Sequence, residues 1–253
     1  MSLFGALLAL GMACSAPPSE SVSMARGTQQ ATFASLTSIG SFTMTTTVTR
    51  TSRGTGRSGT PSVETSVIAW NGPDAWSWTR EKDRSPIAIH LVREGRAWTG
   101  RAEPDQPAAD AEPLRVALAR GWDPWAALSF VRGQYALTRD EDADARETDG
   151  RTAWRHTITL LAAEGGAPGE APAKGRARRR PAWELVRADG EAWLDEVTAV
   201  PISATATVEA RGDRDETRTV QLEVRVEGIG RPAMLPTPAP AAIPQGAGSA
   251  ATR

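Results

Sequence analysis

The chain has 253 residues, 40% apolar and 23% charged, with a formal net charge of -1; it fits one large domain or two small ones and excludes a disordered acidic or basic polymer. The balanced charge gives no electrostatic footprint for nucleic acid. A single cysteine rules out an intramolecular disulfide framework or a cysteine-rich zinc site, and two isolated histidines argue against a catalytic metal cluster, so neither metal nor cofactor is expected.

The first informative stretch holds Leu3, Phe4, Leu7, Leu8 and Leu10, an apolar run too short to span a bilayer and read as an export signal. Gly11, Met12 and Ala13 lead to Cys14, and a polar, proline-containing segment follows. This resembles the lipobox of bacterial lipoproteins, in which the signal is cut before the cysteine and a diacylglycerol is attached to its thiol. The resemblance implies a signal peptide over 1–13, lipidation at Cys14 and a flexible tether over 14–29. The membrane is then the first partner, through the lipid on Cys14, which anchors at about 0.8 kcal/mol per buried methylene. By the same resemblance, Ser15 after the cysteine, in place of aspartate, implies passage to the outer membrane, and the periplasmic face is the expected one. A cleaved secretory signal with an incidental cysteine, or a chance apolar start, is the alternative.

Beyond the tether, Phe33, Leu36 and Ile39 predict a short helix. Phe42, Met44, Thr46 and Val48 share one strand parity, and Val63, Val67, Ile68 and Trp70 mark a second strand after the glycine- and serine-rich loop Arg53 to Pro61. Asn71-Gly72-Pro73 makes a turn into Trp76 and Trp78; Ile87, Ile89 and Leu91 then lead to Glu94-Gly95, a hairpin tip. From Glu112 to Val131 the period becomes helical, with Asp123 as cap and Pro124 opening a second short helix. Strands return at Tyr135 and Leu137 and, past an acidic loop from Asp140 to Asp149, at Trp154, His156, Ile158 and Leu160. A glycine-, alanine- and proline-rich break ends in Arg176, Arg178, Arg179 and Arg180. Trp183, Leu185 and Arg187 precede Asp189-Gly190, read as a hairpin dipeptide, and two alternating runs close the domain: Ile202 to Val208 and Val220 to Val226. The proline- and alanine-rich 231–253 reads as a disordered tail.

These elements predict a mainly β domain over 30–230 with a few helices: one curved antiparallel sheet of about eleven strands, an incomplete β-barrel capped by short helices. The resemblance here is to the LolA/LolB-like superfamily of lipoprotein carriers and lipid-binding lipoproteins. It rests on the opening helix leading into Ser41-Phe42-Thr43-Met44, Trp76-Ser77-Trp78, the hairpin from His90 to Trp98, and the segment from Trp193 to Ile202. It implies an apolar cavity under a helical lid.

Phe42, Met44, Trp76, Trp78, Ile87, Ile89, Leu91, Val208, Leu222 and Val224 are the residues expected to line that cavity and to hold the acyl chains of a lipid or lipoprotein. Alternation shows only that a face is buried, so plain core is the competing role of each. The nine tryptophans suit either a cavity mouth or the margin between sheet and helices. The arginines at 176–180 read as a solvated loop or a contact to anionic headgroups, and the acidic run Glu141 to Glu147 as a solvated turn. No hydrolase elbow, phosphate loop or paired-histidine motif occurs, and no enzyme is expected. The expected function is transport or membrane insertion of a lipid-bearing ligand; the alternative is a non-catalytic structural or protein-interaction lipoprotein with a filled core.

Overall fold

The computed structural model describes residues 31–54, 57–161, 183–212 and 216–238. The expected signal, Cys14, the tether, the arginines at 176–180 and the tail from 239 onward lie outside these residues.

Among the described residues thirteen strands form one antiparallel sheet, eleven of them in a continuous path. In chain order they are β1 (Phe42–Gly54), β2 (Arg57–Ser58), β3 (Ser62–Trp70), β4 (Ala75–Lys82), β5 (Ser85–Arg93), β6 (Arg96–Gly100), β7 (Gln106–Ala108), β8 (Tyr135–Arg139), β9 (Arg146–Thr148), β10 (Arg151–Leu160), β11 (Trp183–Asp195), β12 (Pro201–Gly212) and β13 (Thr217–Glu227). The path runs β7-β6-β5-β4-β3-β1-β13-β12-β11-β10-β8. Helix α1 (Phe33–Ser38) precedes the sheet, while α2 (Glu112–Gly121) and a 3-10 helix (Pro124–Val131) lie in the chain between β7 and β8. Those two strands are the opposite edges of the path, so the helices carry the chain from edge to edge of an open sheet. This is the expected incomplete barrel.

Local chemistry accounts for the helix starts. Thr32 caps α1 by accepting from the Ser35 amide, and Asp123 caps the 3-10 helix by accepting from the Trp125 amide, with Pro124 supplying a preset φ. Register then fixes one face: Phe42, Met44, Thr46 and Val48 of β1 stand opposite Trp70, Ile68, Ser66 and Glu64 of β3. On the other side Met44, Thr46 and Val48 stand opposite Val226, Val224 and Leu222 of β13. Farther along, β11 and β12 put Ala188, Ala192, Ala204, Ala206 and Ala210 on this same face, all buried. Their short side chains leave the volume that Trp125, Leu128 and Val131 of the 3-10 helix occupy in the same core cluster.

Two expectations change. Asp189-Gly190 is not a hairpin: β11 runs unbroken from Trp183 to Asp195 and pairs with β12 on both sides of the glycine. Gly190 has φ +152°, and a Cβ there would lie 2.2 Å from the Thr205 carbonyl oxygen, so the glycine serves a close strand approach and not a turn. The tail also begins as an ordered segment. Asn71 clasps Ala233 with two hydrogen bonds, its Nδ2 donating to the carbonyl at 2.8 Å and its Oδ1 accepting from the amide at 2.6 Å. Arg231 additionally pairs with Asp149.

Candidate functional site

The inner face of the sheet, under α2 and the 3-10 helix, is the place where a ligand would meet apolar side chains. Seven of the ten expected lining residues point there: Phe42, Met44, Trp76, Trp78, Val208, Leu222 and Val224 all belong to the core cluster that includes Leu118, Trp122, Trp125 and Leu128 of the helices. Ile87, Ile89 and Leu91 do not. Trp76 stands opposite Val92 and Trp78 opposite His90, with the Trp78 and His90 rings 5.6 Å apart, so the residues alternating with His90 and Val92 face the other side. There Leu91 and Ile89 are buried, whereas Ile87 is 40% exposed. Strand β5 is apolar on both parities, which is why alternation alone misplaces it.

The inner face is largely filled by the helices, and open volume lies at its margins. One opening is a cleft of about 600 Å³ between α1 and α2. Phe33 and Thr37 of α1, Trp70 and Pro73 of the β3–β4 hairpin, and Val116 and Ala119 of α2 form its walls. Phe33 meets Trp70 edge-on at 5.7 Å, and Trp70 stacks on Trp76 at 6.5 Å. This aromatic ladder leads from half-buried Phe33 to fully buried Trp76, so the cleft is continuous with the core through apolar surface. The Trp76 indole donates to the Pro73 carbonyl at 3.2 Å, so its polar atom is satisfied and the ring faces are left to pack. Val116 is 37% exposed at the rim, beside the Arg115–Glu112 ion pair.

A second pocket, of about 300 Å³, opens near the far ends of β1, β3 and β4, bounded on the helix side by Gly121, Asp123 and Ala127. It contains charge: Glu64 accepts from Arg50 Nη1 at 3.1 Å and from Arg80 Nη2 at 2.7 Å. Burial pushes the Glu64 carboxyl up, but the two guanidiniums outweigh it and hold the group below its ordinary value. These residues were missed from the sequence, yet the signal was present, since Arg50 continues the parity of Phe42 to Val48 and Arg80 that of Trp76 and Trp78.

The two histidines have structural contacts. His90 Nδ1 lies 3.1 Å from the Thr99 hydroxyl, and buried His156 has Nδ1 3.0 Å from the Trp154 carbonyl. Burial is the first cause holding both below the usual histidine range. Among the described residues no cluster of three or more His, Cys, Asp or Glu side chains is placed to hold a metal, and no helix is long and apolar enough to cross a membrane.

No protein-family model matches the sequence, and no curated protein matches it. Solved structures to which the chain is similar include a LolA superfamily protein from Nitrosomonas europaea, with 10% identity over 75% of this chain and 87% of that one, at a TM-score of 0.23. A DUF1329 family protein from Desulfovibrio piger shows 9% identity over 76% and 89% of the two chains, at 0.23. An outer membrane lipoprotein-sorting protein domain from Vibrio parahaemolyticus shows 9% identity over 75% and 85%, at 0.20.

Proposed function

We propose that this protein is a cell-envelope lipoprotein, anchored through Cys14, that shelters the acyl chain of a lipid or lipid-modified ligand in the cleft between α1 and α2. The observation carrying this reading is the apolar continuity of a roughly 600 Å³ cleft with the core through Phe33, Trp70 and Trp76. That volume is in the range of small-molecule sites, and a hydrocarbon gains about 0.8 kcal/mol per methylene buried without any polar partner. The first described helix, α1, is itself a wall of the cleft, which supports entry of the ligand beside the segment that follows the proposed anchor. Delivery to or insertion into the outer membrane is the role we assign to the bound state, with no catalytic step.

The test is native mass spectrometry of a Cys14→Ser protein purified without detergent. Co-purifying lipid, displaced by added fatty acid, supports the reading. A ligand-free mass and no uptake of fatty acid overturn it in favour of a protein-interaction lipoprotein, a reading supported by the close packing of Phe42, Met44 and Trp76 under the helices.

A further inference from the structure

Charged residues on the inner face of a sheet need an explanation, and these are partly open to solvent, the Arg50, Arg80 and Glu64 side chains being 39%, 37% and 24% exposed. Arg50, Glu64 and Arg80 occupy inner-face positions whose counterparts at the other end of the same strands are Phe42, Trp70 and Trp76. Glu64 divides its two oxygens between the guanidiniums, so one carboxylate offsets two cations. Among the described residues, each of these guanidiniums makes one hydrogen bond, to Glu64, and the rest of its five donors remain for another partner. Both line the pocket of about 300 Å³ together with Thr46 and Ser66. Ser66 Oγ accepts from the Trp78 indole at 2.8 Å, which leaves its own proton for another acceptor.

We infer that this pocket binds a phosphoryl group, the chemistry shared by free inorganic phosphate and a phospholipid head. A group with three or four acceptor oxygens matches two guanidinium forks held about one carboxylate, with Thr46 and Ser66 alongside. Asp123 limits the pose: it lies on the helix side, where its carboxylate caps the Trp125 amide, and its charge drives the anion toward the β1–β4 wall. The charge on Arg80 is also felt outside the pocket. After burial, the charge on Arg80 is the next cause that holds His90 below its usual range. The inference does not depend on the acyl-chain reading, since inorganic phosphate has no chain.

Isothermal titration of the Cys14→Ser protein uses three probes: inorganic phosphate, lysophosphatidic acid below its micelle concentration, and a monoacylglycerol of equal chain length. Saturable phosphate binding is expected, weakened about tenfold or more by Arg50→Gln or Arg80→Gln and tightened by Asp123→Asn, which keeps the helix cap. Tighter binding of the lysolipid than of both phosphate and the monoacylglycerol, lost in the arginine variants, identifies a lipid head as the natural source, and lysolipid binding no tighter than that of phosphate identifies the free anion. Circular dichroism checks folding. If the arginine variants do not fold, Asp123→Asn decides alone, because a purely structural ion network gives it no reason to improve anion affinity. Absence of saturable binding by both phosphorylated probes, unchanged affinity in two folded arginine variants, or no tightening in folded Asp123→Asn overturns the inference. Loss of monoacylglycerol binding with phosphate binding intact counts against the acyl-chain reading only.

Discussion

Replacing Gly190 by alanine tests the paired β11–β12 register, on which the alanine floor beneath the 3-10 helix depends. The new Cβ would lie 2.2 Å from the Thr205 carbonyl oxygen and 2.7 Å from the Ala206 Cα, both backbone atoms of the neighbouring strand. A φ of +152° adds conformational strain for any L side chain. Strain of roughly 1–3 kcal/mol and overpacking of about 1–3 kcal/mol give an expected loss of about 2–6 kcal/mol. Because the obstructing atoms are backbone, relief requires moving β12 away from β11, which disturbs the pairs Ala188↔Val208 and Ala192↔Ala204 on either side. Urea unfolding of Gly190→Ala and wild type at 25 °C measures the difference, with Gly95→Asn as a control at a true turn glycine of φ +73° and open surroundings. The control is expected to cost under about 1 kcal/mol, since asparagine tolerates that conformation. If Gly190→Ala loses less than about 0.5 kcal/mol, the close approach is not real and the pairing described above is wrong.

Asp195 accepts two bonds from Arg151 and three from the Val197 and Thr198 groups while only 2% exposed, so Asp195→Ala should cost about 3–5 kcal/mol, read as a fall in Tm. Burial raises its pKa, but Arg151 and Thr198 together hold it below the ordinary aspartate value. Its stabilisation is therefore complete above the unfolded pKa of about 3.9 and disappears as pH falls through the lower folded value, so the acid limb of a pH–Tm profile should flatten in the variant. Asn71→Ala removes both bonds to Ala233 and should make the Ala233 amide exchange faster with solvent deuterium while core amides keep their protection. Ala119→Trp, which fills the cleft from α2, should abolish fatty-acid uptake with Tm changed by less than about 4 °C.

The long alternating strands were legible because one face is buried and the other is not: β1 and β13 show this directly, with threonines at 43, 45, 47, 49 and 51 facing away from Phe42 and Met44. Capped helix starts were legible at Asp123-Pro124 for the same local reason. The turn at Asp83-Arg84 was hidden, since both residues adopt positive φ, 52° and 65°, without a glycine to announce it. Asp189-Gly190 carried a turn signal that pairing with β12 overrode. Strand β7 is too short to show a period, and its only evidence is its pairing with β6. Of the binding surface, the buried aromatic residues were readable from parity, but the cleft was not, because it arises from the separation of α1 and α2.

The proposed function requires an acyl chain to lie between those helices against Phe33 and Trp70. A fatty acid with a photoreactive diazirine near its methyl end, irradiated on the Cys14→Ser protein and mapped by peptide mass spectrometry, addresses it most directly. Adducts are expected on α1 and on the Val116–Ala119 stretch of α2, competed away by unlabelled fatty acid. Adducts confined to the outer face around Ile87, or no competable adduct, would contradict it.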